Sequence, residues 1–147
     1  MSDGIEWKKV LETELRRHLG RRQAIRNIRQ EIATLEADYG RLRAAQSDSN
    51  PVQGGSSSVE DRLINNMVLR DRLRIRLKDT YQRWSRIEQA IKLLPEEQQK
   101  IIYRFYVDRP ANYKQILCEE LSVEQSELYR QKDRAMDKLI LVLYGEE

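Results

Sequence analysis

The sequence predicts an all-α protein: a long antiparallel helical hairpin followed by a C-terminal three-helix domain of helix-turn-helix type. Three observations carry this prediction. Charged residues make up 35% of the chain, against six glycines and three prolines, a balance that favours long helices over sheet. The apolar residues Ile25, Ile28, Ile32, Leu35, Tyr39 and Leu42 step by 3, 4, 3, 4 and 3, the spacing of a heptad seam. From Pro95 onward the pattern changes to shorter helical stretches separated by turn residues.

Residues 1–45 read as the first amphipathic helix. Extended backward, the heptad register lands on Arg21, His18 and Glu14, whereas the apolar residues lie at Leu11, Leu15 and Leu19. A phase shift or kink near Gly20 is therefore expected. Residues 46–58 are rich in Gly, Pro and Ser with almost nothing to bury, so they read as a loop. Ser58 is the expected N-cap of a second long helix over 59–94, with Glu60 and Asp61 suiting its positive end. Val59, Leu63, Leu73, Leu77, Trp84, Ile87 and Ile91 mark its buried stripe. The run from Arg70 to Lys78 alternates like a strand, but no turn residues bracket it and helical spacing resumes on both sides. Two such helices joined by a loop bury their seams most simply as an antiparallel hairpin.

In residues 95–147, Pro95 opens a helix with Glu96 and Glu97 in its first turn. Asp108-Arg109-Pro110-Ala111-Asn112 breaks it, a short helix from Tyr113 to Leu121 follows, and a last helix runs from about Glu124 to Tyr144. A helix-turn-helix needs a small residue where its helices cross, flanking apolar residues, a compact turn and an apolar anchor in its second helix. Cys118, then Leu117 with Leu121, then Ser122-Val123, and finally Leu128 supply these parts, and Ala135 and Leu139 continue the buried stripe. Two features depart from the usual pattern: Ser122 stands where glycine is commonest, and Gln131 occupies an anchor position that is usually apolar.

The outer face is then Gln125, Ser126, Tyr129, Arg130 and Asp133. Gln and Arg can bond base edges in the major groove, while Tyr and Ser can bond phosphate. Lys114, Lys132 and Arg134 are candidate phosphate anchors, with Lys138 farther along the helix, and double-stranded DNA is the partner these residues imply. Glu124 and Glu127 place opposing negative charge beside that face. The arginine groups around Arg16–Arg29 and Arg70–Lys78 read first as a solvated, salt-bridged surface. The run Leu139–Tyr144 is apolar all round, which calls either for packing on the hairpin or for a partner surface.

Several function classes find no support. No apolar run is long enough to span a bilayer, and the first residues lack the layout of a signal peptide, so a soluble cytoplasmic protein without membrane association is expected. Cys118 and His18 are single residues of their types, so neither an internal disulfide nor an ordinary zinc ligand set is expected. The acid pairs Glu96-Glu97, Glu119-Glu120 and Glu146-Glu147 diverge by about 100° on a helix and cannot face one substrate. No nucleophile comes with an identifiable base or phosphate loop, so no enzyme activity and no cofactor are expected.

Leu94-Pro95, Ile101-Ile102-Tyr103, Leu121-Ser122-Val123 and the closing Arg134-Ala135-Met136-Asp137-Lys138-Leu139 resemble the fourth region of bacterial sigma factors over roughly a third of the chain. The N-terminal hairpin with its Pro51-Val52-Gln53-Gly54-Gly55 loop looks like the RinA and ArpU group of phage late-gene regulators. That resemblance implies a promoter-binding activator acting near packaging genes, with host RNA polymerase and further copies of the chain as candidate partners. The alternative in a different class is the small subunit of a phage packaging terminase, in which the helix-turn-helix is expected before the coiled helices rather than after them.

Overall fold

The computed structural model describes residues 4–48 and 55–147, and these are helical throughout apart from short connections. α1 spans Trp7–Asp48 and α2 spans Gly55–Lys92. α3 covers Glu96–Ile102 and continues into a π-helical segment, Tyr103–Val107. α4 is Tyr113–Leu121 and α5 is Gln125–Tyr144. The connection between the long helices is thus shorter than the 46–58 expected. The loop motif lies mostly outside the described residues, and Ser58 falls inside α2 rather than at its cap.

α1 passes through Gly20 without a break in the helix. Leu11 and Leu15 are buried, as the apolar spacing expects, but at the next turn the buried position is the polar one of the heptad register. His18 is 1% exposed, while Leu19 is 40% exposed. Glu14 and Arg21, the register's other two polar positions, are joined by an ion pair of 2.5 Å. A polar side chain occupies a core position here because α2 supplies its partners: His18 Nε2 lies 2.6 Å from Glu88 Oε2, and its ring stacks on Trp84 with centroids 5.9 Å apart.

The chain divides into two compact units, one made of residues 1–22 with 82–147 and the other of residues 23–81, so the boundary falls inside both long helices. In the second unit the α1 and α2 segments are antiparallel: Arg29, Glu36 and Tyr39 in rising order meet Tyr81, Arg74 and Arg70 in falling order. Arg74 pairs with Glu36 at 2.9 Å and Arg70 lies over the Tyr39 ring at 4.6 Å, so two of the basic side chains are held by neighbours. Among its described residues few are buried: Ile25, Ile32, Leu63 and the polar Asn66.

The first unit holds the larger core. Leu11 and Leu15 of α1 and Ile87, Ala90, Ile91 and Leu94 at the end of α2 pack with Ile101, Ile102, Leu117, Leu128, Ala135, Met136 and Leu139. The π-helical segment explains how the consecutive residues Phe105, Tyr106 and Val107 are all buried. A regular helix rotates each residue by about 100° and would turn one of the three outward. Instead the chain widens, and Asp108 N–H donates to the Tyr103 carbonyl at 2.8 Å. Burial pushes the Tyr106 phenol up to about 12.

α5 ends at Gly145, whose φ of 71° lets its N–H close on the Leu141 carbonyl at 2.9 Å. The apolar C-terminal run divides between the two expectations. Leu139 is buried and Tyr144 stacks on Trp7 at 4.8 Å, whereas Leu141 and Val142 are exposed. No helix among the described residues is long and apolar enough to cross a membrane.

Candidate nucleic-acid interface

α4 begins after Pro110 and Asn112 and ends at Ser122, which adopts the left-handed conformation, φ 54° and ψ 46°. The N–H groups of Ser122 and Val123 both close on the Cys118 carbonyl, so the chain reverses within Ser122–Glu124 and enters α5 directly. Leu117 and Leu128 are fully buried between the two helices. Cys118 is half-buried against the same core rather than enclosed, and Leu121 is half-buried as well.

Gln131, the polar residue at an anchor position, is satisfied from both sides. Its side-chain oxygen accepts from Gln98 Nε2 at 3.0 Å, and its Nε2 donates to Glu127 at 3.0 Å. The amide thus ties α5 to α3 by hydrogen bonds where an apolar side chain would do so by contact. Glu127 also pairs with Arg130 at 3.3 Å. The carboxylate expected to repel phosphate is therefore held by two neighbours.

The residues expected to touch DNA separate into three groups. Lys114, Gln125, Tyr129 and Lys132 come together. The ammonium groups of Lys114 and Lys132 lie 5.2 and 5.4 Å from the Tyr129 ring centre. A hydrogen bond from Lys114 lowers the Tyr129 phenol pKa below its ordinary value, aided by one from Gln125, and the same Lys114–Tyr129 bond raises the lysine. Tyr129 is half-buried, not fully exposed as expected, because its ring packs edge-on against Phe105 at 6.0 Å. Lys132 is largely covered and pairs with Asp133 at 3.0 Å. Ser126 and Arg130 form the second group and face outward, Arg130 with its side chain 65% exposed. Arg134 stands apart, exposed but two residues and about 200° around the helix from Lys132. Lys138 donates to the Leu93 carbonyl at 3.3 Å, a contact with the end of α2.

Two residues not singled out from the sequence extend the first group. Arg109 donates to the Tyr113 hydroxyl at 2.6 Å and lies over that ring at 4.2 Å, and Tyr113 in turn packs edge-on against Phe105 at 5.0 Å. Their i, i+4 spacing across Pro110 was the available signal. Phe105 is the hub: Tyr113 and Tyr129 flank it, and Lys132 lies 5.8 Å from its ring centre. Three cationic side chains are thereby carried on aromatic rings at the junction of the π-helical segment, α4 and α5, an arrangement suited to an anionic, hydrogen-bond-accepting partner. Among the described residues no group of three or more His, Cys, Asp or Glu side chains is placed to hold a metal ion.

Comparison of the chain with protein-family models, with curated proteins and with solved structures gave no match.

Proposed function

We propose that the protein is a sequence-specific DNA-binding regulator in which α4 and α5 form a helix-turn-helix that follows a helical hairpin. The single observation that carries this reading is the gathering of Lys114, Gln125, Tyr129 and Lys132 at the start of α5, beside the outward-facing Ser126 and Arg130. In this reading the first half of α5 enters the major groove. Lys114, with Arg109 beside it, contacts the phosphates at the groove edge, and Tyr129 acts as the rigid support that keeps the lysines extended rather than as a base reader. Arg130 exchanges Glu127 for a base edge. In this reading the target lies upstream of packaging genes, which is what the resemblance of the sequence to phage late-gene regulators implies.

The test is a binding titration of the purified full chain against duplexes from the regions upstream of neighbouring genes, at several salt concentrations. Binding to one region is expected to fall steeply with salt as counterions are released. Arg130→Ala is expected to cost about 1 to 3 kcal/mol at the preferred site alone. Lys114→Ala is expected to weaken all duplexes alike and to lower the salt slope by about one. Binding to no duplex, or binding insensitive to salt, overturns the reading.

A further inference from the structure

A chain of polar contacts runs from α3 to the outer face of α5. Gln98 Nε2 donates to Gln131 Oε1 at 3.0 Å, Gln131 Nε2 donates to Glu127 Oε1 at 3.0 Å, and Arg130 Nη1 pairs with Glu127 Oε2 at 3.3 Å. The two carboxylate oxygens of Glu127 are thus held separately, one by the amide tied to α3 and the other by the guanidinium. The spacing allows this, since Arg130 and Gln131 follow Glu127 by three and four residues and both lie one turn on. Glu127 is half-buried and stands in the first turn of α5, where a carboxylate suits the positive helix end.

We propose that Glu127 is a specificity-determining residue that reads a cytosine next to the base edge taken by Arg130. The proposal rests on the DNA-binding reading of α5, in which Arg130 leaves Glu127 for the groove. That exchange strips Oε2 of its partner, while Gln131 keeps Oε1, and with it the whole carboxylate, in place. A carboxylate fixed among phosphates is repelled by them and is relieved only by a hydrogen-bond donor. In the major groove guanine and thymine offer acceptors, adenine sets its amine beside the N7 acceptor, and cytosine presents its N4 amine with no acceptor next to it. The reach agrees: Oε2 lies 3.3 Å from the Arg130 guanidinium, and successive bases are about 3.4 Å apart along the duplex. Gln131 and Gln98 are positioning residues in this scheme, which gives a purpose to a polar side chain at an anchor position that is usually apolar.

The test is selection of bound duplexes from a pool of random sequence by the purified full chain, followed by sequencing, with melting temperatures recorded for every variant. The parent is expected to favour cytosine by at least roughly fivefold at one position adjacent to the one whose preference Arg130→Ala abolishes. Glu127→Gln, equal in shape and without charge, is expected to move the preference at that position to adenine, whose N6 and N7 a carboxamide matches. Gln131→Met is expected to lower the cytosine preference while keeping the Arg130-dependent one; loss of both together, with a lower melting temperature, would make Gln131 merely structural and overturn its positioning role. A parent that selects no sequence overturns the DNA-binding reading and this proposal together. A parent that selects a sequence, with Glu127→Gln leaving every base preference unchanged, overturns the proposal alone and reduces Glu127 to a charge that repels all duplexes alike.

Discussion

Replacing Ser122 by glycine is expected to stabilise the unit formed by residues 1–22 and 82–147. Ser122 is the one non-glycine residue with positive φ among the described residues, and a left-handed backbone costs an L-residue about 1 to 2 kcal/mol. Glycine removes that cost but gives the unfolded chain more freedom, worth about 0.5 to 1 kcal/mol in the other direction. The net gain is therefore about 0.5 to 1 kcal/mol. For a chain of this size that corresponds to a melting-temperature rise of roughly 1 to 4 °C. Ser122→Val is the opposing control, because a β-branched side chain is strained at positive φ and should lose at least about 1 kcal/mol. The assay is thermal and denaturant unfolding of parent and both variants, followed by circular dichroism. A glycine variant that melts below the parent, or a valine variant that melts with it, would show that the turn is not held in the left-handed conformation and that the reasoning about the α4–α5 connection is wrong.

Two further outcomes are expected. Leu15→Ala should cost about 2.7 to 5 kcal/mol, since Leu15 is fully buried, whereas Leu19→Ala should cost no more than about 0.5 kcal/mol; denaturation midpoints compare them, and equal costs would show that Leu19 is buried and that His18 is not the core position at this turn. Because burial raises the folded-state Tyr106 pKa to about 12, above its ordinary 10, the phenol leaves stability unaffected below about pH 10, and stability falls as pH rises from 10 toward 12, where the unfolded chain ionises more readily than the folded one. Tyr106→Phe should flatten that alkaline limb in a pH series of unfolding curves, and an unchanged limb would refute the assignment.

The parts of the fold that were readable in advance are those set by local chemistry. The bounds of α4 follow from Pro110 and Asn112 on one side and Ser122 on the other, and Pro95 marks the start of α3. The seam from Ile25 to Leu42 was readable because one residue class recurs at one spacing. The reading failed where a distant partner decides the outcome. Leu19 is more apolar than His18, yet Glu88 and Trp84, some seventy residues away, make His18 the buried one. The π-helical segment carries no glycine or proline to announce it, and follows from the demand that Phe105, Tyr106 and Val107 all be covered. In the candidate interface, residue types and helix phase placed Ser126 and Arg130 outward. They could not show that Phe105 would draw Tyr129 inward and carry Lys132 with it.

The stacking of Trp7 on Tyr144 has a consequence for how the chain is made. During synthesis Leu11 and Leu15 emerge well before Leu128, Met136 and Leu139, which belong to the same buried cluster and lie more than a hundred residues later in the chain. Contacts so remote in sequence are slow to form. Until they do, the first turns of α1 present an uncovered apolar stripe, and nascent chains on one message would meet one another with that stripe exposed. A fragment beginning at Pro95 would have the complementary defect, a core missing the side chains that α1 and α2 contribute to it.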